Sequence, residues 1–239
     1  GLVLGFGSPE AHAQESDRFS ALVYSKTNGY RHASIPTGIE ALRTLGEQHG
    51  FRITATEDST VFRPERLSDY DVVAFLSTSG DVVGPKGQRA LRSFVEEGGA
   101  YVGIHGAAAT EYDWDWYGRL VGGVFDDHPE VQEATVRLDD DTHPSTRMLP
   151  AEWSRRDEWY NFRSNPRENV RVLLTLDEST YEGGTMGDDH PIAWSQSVGD
   201  GRSWYTALGH TKASFRDKLF RQHLLGGLRW ASQAVTSSS

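Results

Sequence analysis

The stretch from Phe94 to Ala109, FVEEGGAYVGIHGAAA, constrains the fold more tightly than any other part of the chain. Gly98-Gly99 ends a helix, the apolar run Ala100 to Ile104 has the length of a buried strand, and His105 follows at once between Gly103 and Gly106. Glycines close on either side of one functional side chain permit a sharp strand-to-helix elbow, which lifts that side chain above the carboxyl edge of a parallel sheet. In many α/β enzymes the raised residue is Ser or Cys. Here it is an imidazole, which excludes serine-type acyl transfer at this position.

The segments before the elbow fit the same architecture. Phe19 to Tyr24, Phe51 to Thr56 and Asp71 to Ser77 read as strands, and helices are expected from Pro36 to Gly50 and from Pro85 to Glu97. The run DVVAFLS is nearly continuous in apolar character, as in a strand covered by helices on both faces. Alternating strand and helix predicts a doubly wound, mainly parallel sheet, in which ligands gather at the carboxyl ends of the strands. The loops leaving that edge are 25–35, 78–84 and 105–116.

Beyond Gly122-Gly123 the strands Val131 to Leu138, Val170 to Leu176, Pro191 to Ser197 and Ser203 to Leu208 arrive without long helices between them. They predict an antiparallel or mixed C-terminal extension of the sheet. A last helix is expected from Ser214, its hydroxyl acting as cap with Asp217 three residues on. One domain over residues 14–233 with a disordered tail at 234–239 is the simplest organisation.

Composition narrows the function. The formal net charge is -10 and no basic run occurs, which argues against a nucleic-acid partner. Without cysteine there is no disulfide, thiolate metal site or cysteine nucleophile. No segment has the apolar length of a membrane span. Residues 1–13, GLVLGFGSPEAHA, have the form of the tail of a secretory signal, with Ala11-His12-Ala13 as an A-x-A cleavage site. An exported protein, extracellular or periplasmic, is therefore expected to begin at Gln14.

Nine histidines are present, and their placement informs more than their number. His128, His143 and His190 each precede proline, which holds the preceding residue extended and so aims its ring. A rigid turn explains any one of them equally well, His143 above all. His32, His105 and His210 each follow a short apolar strand on the same predicted edge, so three distant segments converge. Three neutral imidazoles can hold zinc or a similar divalent metal, or one can act as base beside another acting as acid. A second candidate is RRDEWYNF, where Asp157 and Glu158 precede Trp159 and Tyr160. Carboxylates, a phenol and aromatic faces suit a sugar site, and an acidic surface loop over two tucked aromatics is the alternative. Tyr112, Asp113, Trp114 and Trp116 repeat the theme, and seven tryptophans favour a stacking surface.

The motifs NGYRHASI, STSGD, FVEEGGAYVGIHGA, LVGGVFDDHP, DTHPST, DEWYNF, DDHPIAW and GRSWYTALGHT, in this order and spacing, resemble the ThuA-like (trehalose utilisation) family from Phe19 to Ala231. The resemblance implies a fold like that of the class I glutamine amidotransferases and of flavodoxin. Those amidotransferases carry a cysteine at the elbow and a histidine after a late strand. Here His105 and His210 stand in these places, so amidotransferase chemistry should be absent.

The resemblance further implies action on disaccharides of the trehalose type, on 3-keto sugars in particular. A C3 ketone acidifies the C2 proton, and a base that removes it forms an enolate from which the C1 glycosidic oxygen can leave. Isomerisation would use the same parts. His105 or His210 would be the base, a metal on His32, His105 and His210 or an imidazolium would stabilise the enolate, and Tyr160, Asp157 or Glu158 would be the acid. Arg31, Asp81, Trp114, His128, Trp159 and His190 would contact the sugar, and no nucleotide cofactor is expected. A lyase acting on a uronic-acid polysaccharide and a non-catalytic carbohydrate-binding module are the rival readings.

Overall fold

A computed structural model describes residues 18–233; the expected secretory remnant and the C-terminal tail lie outside the described residues. Among these, no helix is long and apolar enough to cross a membrane.

One sheet of nine strands organises the chain, in the order β2-β1-β3-β4-β9-β8-β7-β5-β6. β1 (Ser20–Tyr24), β3 (Val72–Leu76) and β4 (Ala100–Ile104) are buried at every residue, which is why their sequences show no polar alternation. With β2 (Arg52–Thr56) and β9 (Gly201–Thr206) they pair in parallel. β8 (Pro191–Val198), β7 (Arg171–Asp177), β5 (Gln132–Leu138) and β6 (Glu152–Asp157) continue the sheet in antiparallel fashion. The doubly wound parallel part is therefore only half of the sheet. The C-terminal extension is antiparallel throughout and larger than an appendage.

Helices α1 (Ile35–His49) and α5 (Lys218–Ser232) pack together on one face of the sheet. On the other lie α2 (Pro64–Leu67), α3 (Gly84–Glu96) and α4 (Asp115–Val121). Trp204 of β9 meets α5 at Gly227, where a Cβ would lie 2.5 Å from the indole. Tyr101 of β4 points to the opposite face and bonds Tyr117 of α4.

Two expectations need correction. The residues of β6, EWSRRD, carry too many charges to read as a strand because β6 is an edge strand with alternating exposed positions. The last helix starts at Lys218, and its cap is Asp217, which accepts from the Phe220 N–H. Ser214 instead opens a short 3-10 turn, and its hydroxyl is engaged elsewhere.

Candidate metal centre and active site

The register of the parallel strands brings the candidate residues together. Leu76, Ile104 and Thr206 lie level on β3, β4 and β9, so the chain leaves all three strands at one height. The first residues beyond β3 and β4, Ser77 and His105, both adopt left-handed backbone, with φ of 46° and 50°. Such a conformation costs a non-glycine residue on the order of 1–2 kcal/mol, so the fold holds the elbow against a local preference. Gly106 is required there for a different reason: a Cβ on it would lie 2.8 Å from the Thr78 carbonyl oxygen.

His105 is completely buried. Its Nδ1–H donates to the Ala207 carbonyl of the neighbouring loop at 2.6 Å, which leaves the Nε2 lone pair facing inward. The rings of His32 and His210 stand 4.8 Å and 5.4 Å from it, edge to face. Glu158 completes the group, its Oε1 lying 3.3 Å from His105 Nε2 and 3.2 Å from His210 Nδ1. One donor atom from each of His32, His105, Glu158 and His210 falls within 4.8 Å of the other three. Both nitrogens of His32, Nε2 of His105 and Nδ1 of His210 are buried and lack a hydrogen-bond partner. Buried polar atoms are normally paired, and one orphaned nitrogen from each histidine forms with the Glu158 carboxylate a donor set that suits a divalent ion of the zinc type. The His105 bond to a backbone carbonyl is the kind of outer contact that fixes the ring of a metal-binding histidine.

The electrostatics favour the ligand forms of His32 and Glu158. Burial, reinforced by the neighbouring His105 and His210 rings, pushes the His32 pKa down to about 3, so it stays neutral. Burial alone would raise Glu158, but the adjoining His105 and His210 imidazoles outweigh it and hold the carboxyl well below its ordinary value. Burial opposes protonation of His210 too, and there the Glu158 carboxylate prevails and raises the pKa.

Asp157 organises this arrangement without entering it. Its Oδ1 accepts the backbone N–H of Glu158 and of His210, both at 3.0 Å, so one oxygen ties two members of the cluster together. Its Oδ2 accepts from Gly209 N–H, the Ser214 hydroxyl and Arg155 Nη2. β6 lies four strands from β9 in the sheet order, yet its last residue bonds the loop after β9. The antiparallel half thus bends round, and 157–162 crosses back over the carboxyl edge. Asp157, expected as a proton donor, is a fully buried positioning residue whose oxygens are all spent.

A cavity of about 310 Å³ opens onto the cluster. Tyr30, Phe125, His128 and Tyr160 supply most of its wall, with Thr78 and Ser79 of the loop after β3. The Tyr160 ring stacks on His105 at 4.1 Å. Burial, with the Glu158 carboxylate adding to it, pushes the Tyr160 phenol far up, so it remains protonated. His128 sits exposed at the rim, its Nδ1 3.5 Å from Glu158 Oε2. No Lys or Arg lines this cavity among the described residues.

Several expected sugar contacts lie elsewhere. Trp159 is buried, its indole N–H donating to the Gln132 carbonyl, so it offers no stacking face. His190 is buried behind Tyr160, with Nε2–H donating to the Tyr160 carbonyl at 2.8 Å. Arg31 is exposed and paired with Glu57, and Asp81 is exposed outside the cavity. Trp114 stacks on Tyr117 and lines a separate cavity. Tyr30 and Phe125 went unrecognised in the sequence. Tyr30 adjoins His32 in NGYRHASI, which was the available signal, whereas Phe125 had none.

The ThuA family model, described as trehalose utilisation, matches residues 20–231. The chain belongs to the ThuA family. Among solved structures, a ThuA-like protein from Bacteroides uniformis is 28% identical with a TM-score of 0.79, and the alignment covers 95% of each chain. One from Parabacteroides merdae is 21% identical with a TM-score of 0.76, covering 92% of each. A β-galactosidase from Bacillus circulans shares the fold over 90% of this chain and 30% of its own, at 14% identity and a TM-score of 0.57. No curated protein matches the sequence.

Proposed function

We propose that this ThuA-family protein is a metal-dependent, carbohydrate-active enzyme that cleaves or isomerises a keto sugar, of which a 3-keto disaccharide fits best. The observation that carries the reading is the convergence of one unpartnered nitrogen from each of three imidazoles with one carboxylate at the floor of a cavity of sugar size. His32, His105, His210 and Glu158 are the ligands. A divalent ion bound there supplies Lewis acidity toward a sugar oxygen.

The remaining residues take the other roles. His105 and His210 aim their free nitrogens at one another's neighbourhood and are committed as ligands, so neither is the base in this reading. His128 is the imidazole that lines the cavity outside the cluster, and it accepts the C2 proton at the rim. The electron pair of the C2–H bond forms the enolate, the C1–O bond breaks, and the leaving oxygen takes a proton from the Tyr160 phenol. Tyr30 and Phe125 give the ring an apolar face. The uronate lyase receives less support, because no guanidinium or ammonium group lines the cavity to hold a carboxylate. The A-x-A site at Ala11 to Ala13 supports action outside the cytoplasm.

Elemental analysis of the purified protein, paired with release of sugar from a 3-keto disaccharide, tests the proposal. Stoichiometric divalent metal is expected, with metal and turnover both lost in H105A. Turnover unchanged in H105A overturns it, and sugar affinity with neither metal nor turnover supports a binding module instead.

A further inference from the structure

A second cavity, of about 590 Å³, lies across a thin wall from the first. The wall is made of residues 108–110 and 124–125, joined by the Phe125 N–H donating to the Ala108 carbonyl. Ala109 and Phe125 face the histidine cavity, while Ala108, Thr110 and Val124 face the second one.

The two cavities differ in chemistry. The second is walled by Tyr112 and Trp114, with Trp114 held flat by Tyr117 at 6.0 Å and by Trp116 at 5.0 Å. The Arg163 guanidinium lies over the Tyr112 ring at 5.0 Å, and neither Arg163 nor Arg119 has a carboxylate partner among the described ion pairs. A guanidinium held over an aromatic ring is pre-oriented, and its N–H groups can grip a carboxylate in two-pronged fashion. Two carboxylates share the lining, Asp115 and Glu111. The oxygens of Glu111 are engaged by Val82 N–H, Val83 N–H and the Gln88 amide, so they do not pair with Arg163. The two carboxylates balance the two guanidiniums in net charge, so what this cavity offers an anion is the unpaired N–H edge of Arg163.

We propose that this second cavity is a binding site for an acidic glycosyl unit, its ring on the Tyr112 and Trp114 faces and its carboxylate on Arg163. The site stands apart from the histidine cluster and does not depend on the chemistry assigned there. Calorimetric titration with methyl glucuronide and with methyl glucoside tests it, on the wild type and on R163M, W114A and H105A. The glucuronide should bind at least tenfold more tightly than the glucoside, and R163M should remove that preference while leaving metal content and Tm unchanged. W114A should weaken both ligands, and H105A should alter neither. Equal affinity for the two glycosides, or no binding of either, overturns the proposal. So does glucuronide binding that survives R163M and disappears with H105A, because it would place the acidic sugar in the histidine cavity.

Discussion

Asp157→Asn is the perturbation that most directly probes how the antiparallel half of the sheet builds the centre. The side chain keeps its shape, and in its better orientation the amide oxygen still accepts from Glu158 N–H and His210 N–H. The new NH2 then faces three donors: Gly209 N–H, the Ser214 hydroxyl and Arg155 Nη2. The hydroxyl can turn and accept, but the amide and the guanidinium cannot. Arg155 is buried, and its Nε and Nη1 already lack partners, so losing Asp157 strands a cation above the Trp153 and Phe220 rings. Breaking a buried ion pair from one side costs about 3–5 kcal/mol, and a buried donor facing a donor adds about 1–3 kcal/mol, not fully additively. We therefore expect D157N to lose about 4 kcal/mol in urea unfolding. Zinc affinity in the same preparation should fall roughly 10- to 100-fold through the displaced His210 and Glu158 backbones. R155M/D157N should be less destabilised than D157N, because the orphaned charge is gone. A loss below about 1 kcal/mol with unchanged zinc affinity would refute the reasoning.

Other expectations follow from the same coordinates. Burial pushes His223 down to about 3 and His143 to about 4, so both are neutral in the fold. Between an unfolded value of about 6.5 and these values the unfolded chain binds more protons, so stability must fall as pH drops from about 6.5 toward 4. Urea midpoints at pH 7.5, 6 and 5 check this, and a flat profile counts against it. At the elbow, H105G should be more stable than H105A by about 1 kcal/mol, since both lose the ring but only glycine is at ease at φ 50°; equal midpoints would mean that the elbow is unstrained. A Cβ at Gly226 would come 2.1 Å from the Pro144 carbonyl oxygen, and both partners are backbone. G226A should therefore cost about 2 kcal/mol or more by scanning calorimetry, as overpacking does. Removing metal with a chelator should lower the wild-type Tm and leave E158Q/H210A nearly unmoved, because ligand-linked stability needs the site.

Legibility in the sequence followed from how local each constraint was. His32, His105 and His210 are legible together because each lies in the segment that leaves a parallel strand, and parallel strands in register end at one edge. The elbow was legible because Gly106 and the apolar run are local signals. Glu158 was visible as a carboxylate but not as a fourth member of the group. Its place depends on an edge strand four strands removed bending back over the sheet, and on Asp157 bonding Gly209 and His210, 52 and 53 residues away in sequence. No periodicity carries that information. The aromatics failed in the opposite direction: Trp159 and His190 looked like ligand contacts because polar neighbours flank them. The structure uses their N–H groups internally, on the Gln132 and Tyr160 carbonyls, which is how a buried indole or imidazole satisfies its donor.

The fate of each polar atom therefore separates site from scaffold here better than residue type does. His190, His223 and Asp157 are buried and fully partnered, and they hold backbone in place. His32 and His105 are equally buried and His210 is partly so, and all three keep buried nitrogens without a hydrogen-bond partner. Leaving such atoms unpaired on three rings of one cluster costs on the order of 1–3 kcal/mol each, which a marginally stable fold can sustain only if a ligand recovers it. That argument predicts its own test: H32F, which fills the same space without the orphaned nitrogens, should raise the Tm of metal-free protein while abolishing metal binding. A metal-free H32F protein less stable than metal-free wild type would show that the imidazoles are scaffold after all.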